Sequence, residues 1–216
     1  VEMRNLPIPS NKSKILDLGC GNGKFLSRAK SAGFEVLGID FDSQVVESCK
    51  KKGLNVKLGG IEILYPYSAQ FDIITMSHVI EHVHNPIAVL QACYKLIAAG
   101  GFLWIETPNI HSEGHRIFRS SWRGLEPPRH LTIFTLSSMI SALQSVGFQS
   151  IEVQPYRTLC REIFHSSKDI YNIINPHDKS CYPNLNAMVN QAEQIARNNV
   201  SAREFITLKA QKTALR

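Results

Sequence analysis

Leu16-Asp17-Leu18-Gly19-Cys20-Gly21-Asn22-Gly23 is the stretch on which the fold turns. Its first half closes a short apolar run, Lys14 to Leu18, and its second half opens a helix over Asn22 to Ala32. That helix carries Phe25, Leu26 and Ala29 on one face and has Gly33 as its stop. Glycines at such a handover let the backbone turn tightly and approach a ligand closely. The spacing departs from the dinucleotide pattern GxGxxG, whose third glycine would stand at position 24; here that residue is Lys24 and the glycine is Gly23. An acid, Asp17, precedes the glycines. A second β-like run, Glu35 to Asp40, ends at Gly38-Ile39-Asp40, where an aspartate can accept hydrogen bonds from both hydroxyls of an adenosine ribose.

Moving outward, Asp42 or Ser43 caps a helix that ends near Gly53. Leu54 to Leu58 and Phe71 to Met76 read as a third and a fourth strand. Pro86 opens a helix through Val89, Leu90, Cys93, Tyr94 and Ile97, Gly100-Gly101 ends it, and Phe102 to Glu106 is a fifth strand. Continuous apolar strands alternating with amphipathic helices predict a parallel sheet covered on both faces. Residues 107–134 break the pattern. They hold four arginines and three histidines with little periodicity, which reads as a long functional loop. Regularity returns with a helix from Leu136 to Val146 and a strand from Ser150 to Gln154. Helical stretches follow over Cys160–Ile174 and Asn184–Asn198, and a strand over Arg203–Ala210. The expected organisation is a core over 13–156 containing a lid over 108–134, a helical insertion over 157–200, and the last core strand over 201–211.

Composition narrows the function classes. With 216 residues, 44% hydrophobic and 19% charged, the chain can pack one core and is not disordered. No apolar run reaches the ~18 residues of a membrane span, and no secretory signal is visible. The chain opens on Val1, which leaves room for a longer or processed parent. Five cysteines without CxxC spacing argue against a disulfide framework or zinc knuckle and for the cytoplasm. The net charge is +6. Residues 1–110 hold 11 Lys+Arg against 10 Asp+Glu, so the surplus sits in the second half, where it reads as a solvated basic surface.

Together these residues resemble the class I S-adenosylmethionine (SAM) dependent methyltransferases. The resemblance rests on Asp17–Gly23, Gly38-Ile39-Asp40, Phe71-Asp72-Ile73-Ile74 followed by Val79-Ile80-Glu81-His82-Val83, and Ala99-Gly100-Gly101-Phe102-Leu103. It runs from about residue 13 to 154. Within the superfamily the chain looks most like the small-molecule group that includes ubiquinone-biosynthesis-type O-methyltransferases, and Trp122 to Leu131 is similar to a motif recurring there. The resemblance implies a doubly wound α/β sheet of seven strands in the order 3-2-1-4-5-7-6, with SAM as cofactor and S-adenosylhomocysteine (SAH) as product. It implies that Asp17, Gly19 and Gly21 hold the amino-acid end, Asp40 the ribose, and Phe41 and the backbone around Ile61 the adenine, with Cys20 and Ser77 completing the cofactor site. Many relatives have an Asp at the position of Gly60; here Glu62 stands nearby.

On the acceptor side the expected residues are His82, Trp122 and Arg129, with His130 as the general base that takes a hydroxyl proton. His78-Val79-Ile80-Glu81-His82 matches the HxxEH spacing of a zinc protease class, and on a helix those three side chains would share a face. The context is wrong for a protease. Some ubiquinone-type relatives resemble the segment and bind a divalent ion there with two acids and a His, but the first acid is His78 here, so no metal is expected. A small-molecule acceptor, methylated on oxygen first and on nitrogen as the alternative, is favoured over nucleic acid. Met76-Ser77-His78-Val79 is neither the Asn/Asp-Pro-Pro-aromatic motif of amino-directed DNA methyltransferases nor the Pro-Cys of cytosine enzymes. RNA methylation and a non-catalytic SAM-binding module remain the alternatives, and the sequence does not indicate an oligomeric state.

Overall fold

A computed structural model describes residues 6, 7, 13–178 and 181–213. Its strands are β1 (Lys14–Leu18), β2 (Glu35–Asp40), β3 (Val56–Leu58), β4 (Phe71–Ser77), β5 (Ile97–Pro108), β6 (Gln149–Val153) and β7 (Phe205–Gln211). They form one sheet in the order β3-β2-β1-β4-β5-β7-β6, and β7 runs antiparallel to both of its neighbours. Helices α1 (Lys24–Ser31) and α2 (Ser43–Lys51) cover one face. Helices α3 (Pro86–Leu96) and α5 (Leu136–Ser145) cover the other.

The strands divide their side chains between two cores. Leu16, Ile74, Met76, Leu103 and Ile105 point to the α3/α5 layer, whereas Ile15, Ile73, Phe102 and Trp104 point to the α1/α2 layer. This is the period-two alternation of a pleated strand buried on both faces. Local signals fix the helix starts. Asp42 accepts from the Gln44 and Val45 N–H groups at 2.8 and 3.3 Å, and Asn85 accepts from Ala88 N–H with Pro86 in the first turn. Each such cap contributes about 1 kcal/mol. β5 begins at Ile97, earlier than the sequence suggests, because Gly100 and Gly101 pair with Lys212 instead of ending the preceding helix.

The segment after β5 is not a free loop. It contains α4 (Glu113–Phe118) and a 3-10 turn (Arg119–Ser121), and its neck is closed by Asn109 pairing with Phe134. With α6 (Cys160–Ile174) and α7 (Leu185–Asn198) it builds a third apolar cluster around Phe118, Trp122, Phe164 and Val189. A six-residue helix has too few turns to show a period in sequence, which is why this region reads as irregular.

Candidate functional site

Strands build outward in opposite directions from β1 and β4, so a crevice opens beyond their carboxyl ends, the place where such sheets bind ligands. A cleft of about 760 Å³ lies there, between the glycine turn, the ends of β2 and β3, and the segment after β4. Gly19 adopts φ +65°, and a Cβ on it would stand 2.4 Å from Val79 Cγ2. Only glycine lets the turn after β1 touch the segment after β4 across the crevice floor.

Four of the expected cofactor residues line this cleft: Gly19, Asp40, Phe41 and Ile61. Asp40 accepts the Gly21 N–H at 2.9 Å and the Asp42 N–H at 3.0 Å, one on each oxygen. A carboxylate has about four acceptor sites, so this leaves capacity for two hydroxyls. Phe41 is 71% exposed, an aromatic face with no side-chain cover. The other four stand behind or beside the cleft. Asp17 is buried and accepts the Thr75 hydroxyl at 2.5 Å, across the β1–β4 register. Cys20 is buried, and burial, with the charges of Asp17 and Asp40, pushes its thiol up to about 12. Gly21 belongs to the turn bonded to Asp40, and the Ser77 hydroxyl donates to Glu106 at 3.4 Å.

Glu62 is the residue the sequence only brushed. Its carboxylate accepts the Gly60 N–H at 2.9 Å, and a Cβ on Gly60 would lie 2.3 Å from Glu62 Oε2 and 2.6 Å from Phe41 Cζ. Glu62 therefore fills the space that a side chain at position 60 would take. The signal was present as a missing side chain followed two residues later by an acid. Two carboxylates and an exposed aromatic in one cleft fit an adenosine: ribose hydroxyls on Asp40, an exocyclic amine on Glu62, a base against Phe41.

A second cavity of about 350 Å³ adjoins the first and shares His78, His82 and Arg129 with it. The return arm of the β5 excursion places its wall. Leu131 and Thr132 N–H groups donate to the Glu81 carbonyl at 2.7 and 3.2 Å. His82 Nδ1 lies 3.0 Å from the Arg129 carbonyl and His130 Nδ1 lies 2.7 Å from the Gly124 carbonyl. A carbonyl only accepts, so both rings carry the proton on Nδ1. His130 Nε2 then faces Glu126 Oε2 at 3.4 Å, while His82 Nε2 has no hydrogen-bond partner among the described residues.

His78 and Glu81 are not on one helix. His78 has φ +55°, and only Ile80–His82 form a 3-10 turn. The ring of His78 nonetheless reaches two buried acids, Glu81 at 3.3 Å through Nδ1 and Glu106 at 3.6 Å through Nε2. Burial alone would raise the Glu81 carboxyl, but hydrogen bonds from His78 and Thr107 outweigh it and hold Glu81 below the usual carboxylate range. Glu81, His82 and His130 each offer one ligand atom, all within 4.8 Å of one another. Trp122 corrects an expectation. It does not wall a substrate pocket: it is 2% exposed, plugs the third cluster, and donates its indole N–H to Glu204 at 3.0 Å.

An otherwise parallel sheet whose one reversed strand lies between the fifth and the sixth is the class I methyltransferase fold. A profile described as a methyltransferase domain matches residues 3–153, and the chain belongs to that family. It is 32% identical over 114 residues to a ubiquinone biosynthesis O-methyltransferase of Psychrobacter cryohalolentis, a match covering 47% of this chain and 43% of that protein. It is 31% identical over 103 residues to the Methylococcus capsulatus protein of the same name, covering 44% of each. The chain thus spans less than half the length of these relatives. Among solved structures, a SAM-dependent methyltransferase from Archaeoglobus fulgidus superposes with TM-score 0.66 at 22% identity, over 93% of this chain and 86% of that one. A Haemonchus contortus phosphoethanolamine N-methyltransferase 2, solved with SAM, gives 0.64 at 16%, over 95% and 50%. At these identities the likeness speaks for the fold.

Proposed function

We propose that the protein transfers a methyl group from SAM to a hydroxyl of a small molecule. SAM, when bound, supplies a methyl on a sulfonium that a nucleophile displaces in line, leaving SAH. The chain's own residues have three tasks. Asp40, Glu62 and Phe41 orient the adenosine. The turn at Gly19–Gly21 approaches the amino-acid end through its backbone. The second cavity holds the acceptor against the first, so that alignment replaces a chance encounter.

The observation that carries the reading is His82 Nε2, an unengaged lone pair on a ring fixed by the Arg129 carbonyl, at the junction of both cavities. It takes the acceptor proton as the new C–O bond forms. His130, the base expected from sequence, sets Nδ1 on the Gly124 carbonyl and turns Nε2 to the Glu126 carboxylate at 3.4 Å, and we assign it to holding the ring of His82 and the Glu126 side chain in place. The relatives named as O-methyltransferases support oxygen as the accepting atom. No helix among the described residues is long and apolar enough to cross a membrane. We infer the cytoplasm from the five free cysteines.

Calorimetry with SAM, SAH and NAD, followed by labelled-methyl transfer to a panel of alcohols and amines, tests this. Binding of SAM and SAH with labelled ether or ester products is expected. NAD binding without SAM would overturn the cofactor, and exclusive N-methyl products would overturn the acceptor atom.

A further inference from the structure

We infer that the acceptor is a compact hydroxylated molecule bearing a carboxylate, and that Arg123 and Arg129 are the groups that select it. The inference rests on the methyl-transfer reading above and names the substrate class of the same site.

The second cavity is sized for a small molecule, near the lower end of the range for such sites. Its inner wall is apolar, made of Pro108, Ile163 and Phe205. Its charge is unbalanced. Arg123 Nη1 and Arg129 Nη1 stand 2.7 and 2.6 Å from the two oxygens of Glu126, the single acid in the lining. Two guanidiniums on one carboxylate leave one formal positive charge. Each guanidinium has five N–H donors and commits one nitrogen to Glu126, so several donors remain to face an incoming anion. Burial works to raise the Glu126 carboxyl, yet Arg123, Arg129 and His130 hold it below the usual carboxylate range, so it stays an anion and keeps both guanidiniums in place.

The lining orders a ligand between Arg123, which borders the second cavity alone, and the junction of the two cavities, which His82 and Arg129 share. A carboxylate meets the planar forks of Arg123 and Arg129, an arrangement that guanidinium geometry favours over a single point charge. The carbon body lies on Pro108, Ile163 and Phe205. A hydroxyl then faces His82 Nε2, on the side where the two cavities meet. An amine substituent would meet net positive charge instead.

The test uses matched pairs: aromatic and aliphatic hydroxy acids, each against its primary amide, with the full chain and labelled SAM. The acids are expected to be methylated with kcat/KM about ten- to a hundred-fold above their amides, the worth of hydrogen bonds to a charged group. Arg123→Gln should collapse that ratio toward one, and Arg123→Lys should restore part of it. Arg123 lies outside the cofactor cleft, so SAH affinity should not move in either variant. Amides that equal or exceed the acids, no methylation of any acid, or a ratio unmoved by Arg123→Gln would each overturn the inference. Failure of SAH to bind the unaltered protein is a separate result, which would remove the methyl-transfer reading and this inference with it.

Discussion

The imidazole rings of His82 and His130 meet edge to face, their centroids 4.7 Å apart. One ring stands just after β4 and the other on the return arm of the excursion after β5, and the two segments are tied by Leu131 and Thr132 N–H on the Glu81 carbonyl and by His82 Nδ1 on the Arg129 carbonyl. Each Nδ1 is anchored to a different carbonyl, and the difference between the two rings lies in Nε2: that of His130 faces Glu126, and that of His82 has no hydrogen-bond partner among the described residues.

That difference separates two variants. His82→Ala should lower turnover by about 10²–10⁴-fold, the usual loss when a general base is removed, with SAH affinity nearly unchanged. His130→Ala should cost less, because it loosens a neighbour instead of removing the proton acceptor. Steady-state kinetics with calorimetry for SAH decide between them; a larger loss for His130→Ala would return the base to the position that sequence alone suggested.

The cofactor cleft can be probed at two acids. Asp40→Ala should weaken SAH binding by about 1.5–3 kcal/mol, the typical worth of hydrogen bonds to a charged group. Because Asp40 also accepts from Gly21 and Asp42, part of that loss will come from a looser turn. Glu62→Ala should lower SAH affinity about ten-fold, part of it from the turn at Gly60, whose N–H Glu62 accepts. Calorimetry on both variants, with thermal melts to separate unfolding, checks this; unchanged affinity in Glu62→Ala would leave the adenine contact to Ile61 and Phe41.

Much of this was legible in the sequence, and the limits have physical causes. The strands β1, β4 and β5 announce themselves because their centres are buried on both faces and so read as apolar runs. The place of Asp40 at the rim of the cleft was legible because a strand, a glycine turn and an acid occur in a fixed order. The role of Trp122 was not, because whether it walls a pocket or plugs a core depends on Phe164 and Val189, which arrive from α6 and α7 far along the chain. His78 could not be placed by helical spacing, because its φ of +55° breaks the helix that such spacing assumes.

Chelators should leave methyl transfer intact. Glu81, His82 and His130 lie close enough to suggest an ion site, but both Glu81 oxygens are already engaged, by His78 at 3.3 Å and by the Thr107 hydroxyl at 3.0 Å. That leaves two imidazoles, fewer ligands than a stable zinc site needs. Activity measured before and after treatment with EDTA tests the point; loss of turnover that returns with added zinc or magnesium would show that Glu81 gives up those bonds to a metal.

Glu204 links the helical cluster to the sheet, and its titration should appear in stability. It is 3% exposed and accepts the Gly114 N–H at 2.7 Å and the Trp122 indole N–H at 3.0 Å. Burial pushes its carboxyl up to about 7, against the opposing hydrogen bonds of Gly114, Trp122 and Ser112. An acid raised from its ordinary value near 4.5 binds its proton more tightly in the folded chain than in the unfolded one. Its contribution is therefore fully present below about pH 4.5 and is lost as pH rises through about 7, a change on the order of 3 kcal/mol. Glu204→Gln cannot ionise and should flatten that part of the slope, although one carbonyl oxygen serves the two donors less well and absolute stability at low pH should fall. Urea unfolding at pH 5 and pH 8 on both proteins gives the comparison. Equal slopes in the two proteins would mean that the Glu204 carboxylate is held ionised by its N–H donors, and that burial does not control this corner of the fold.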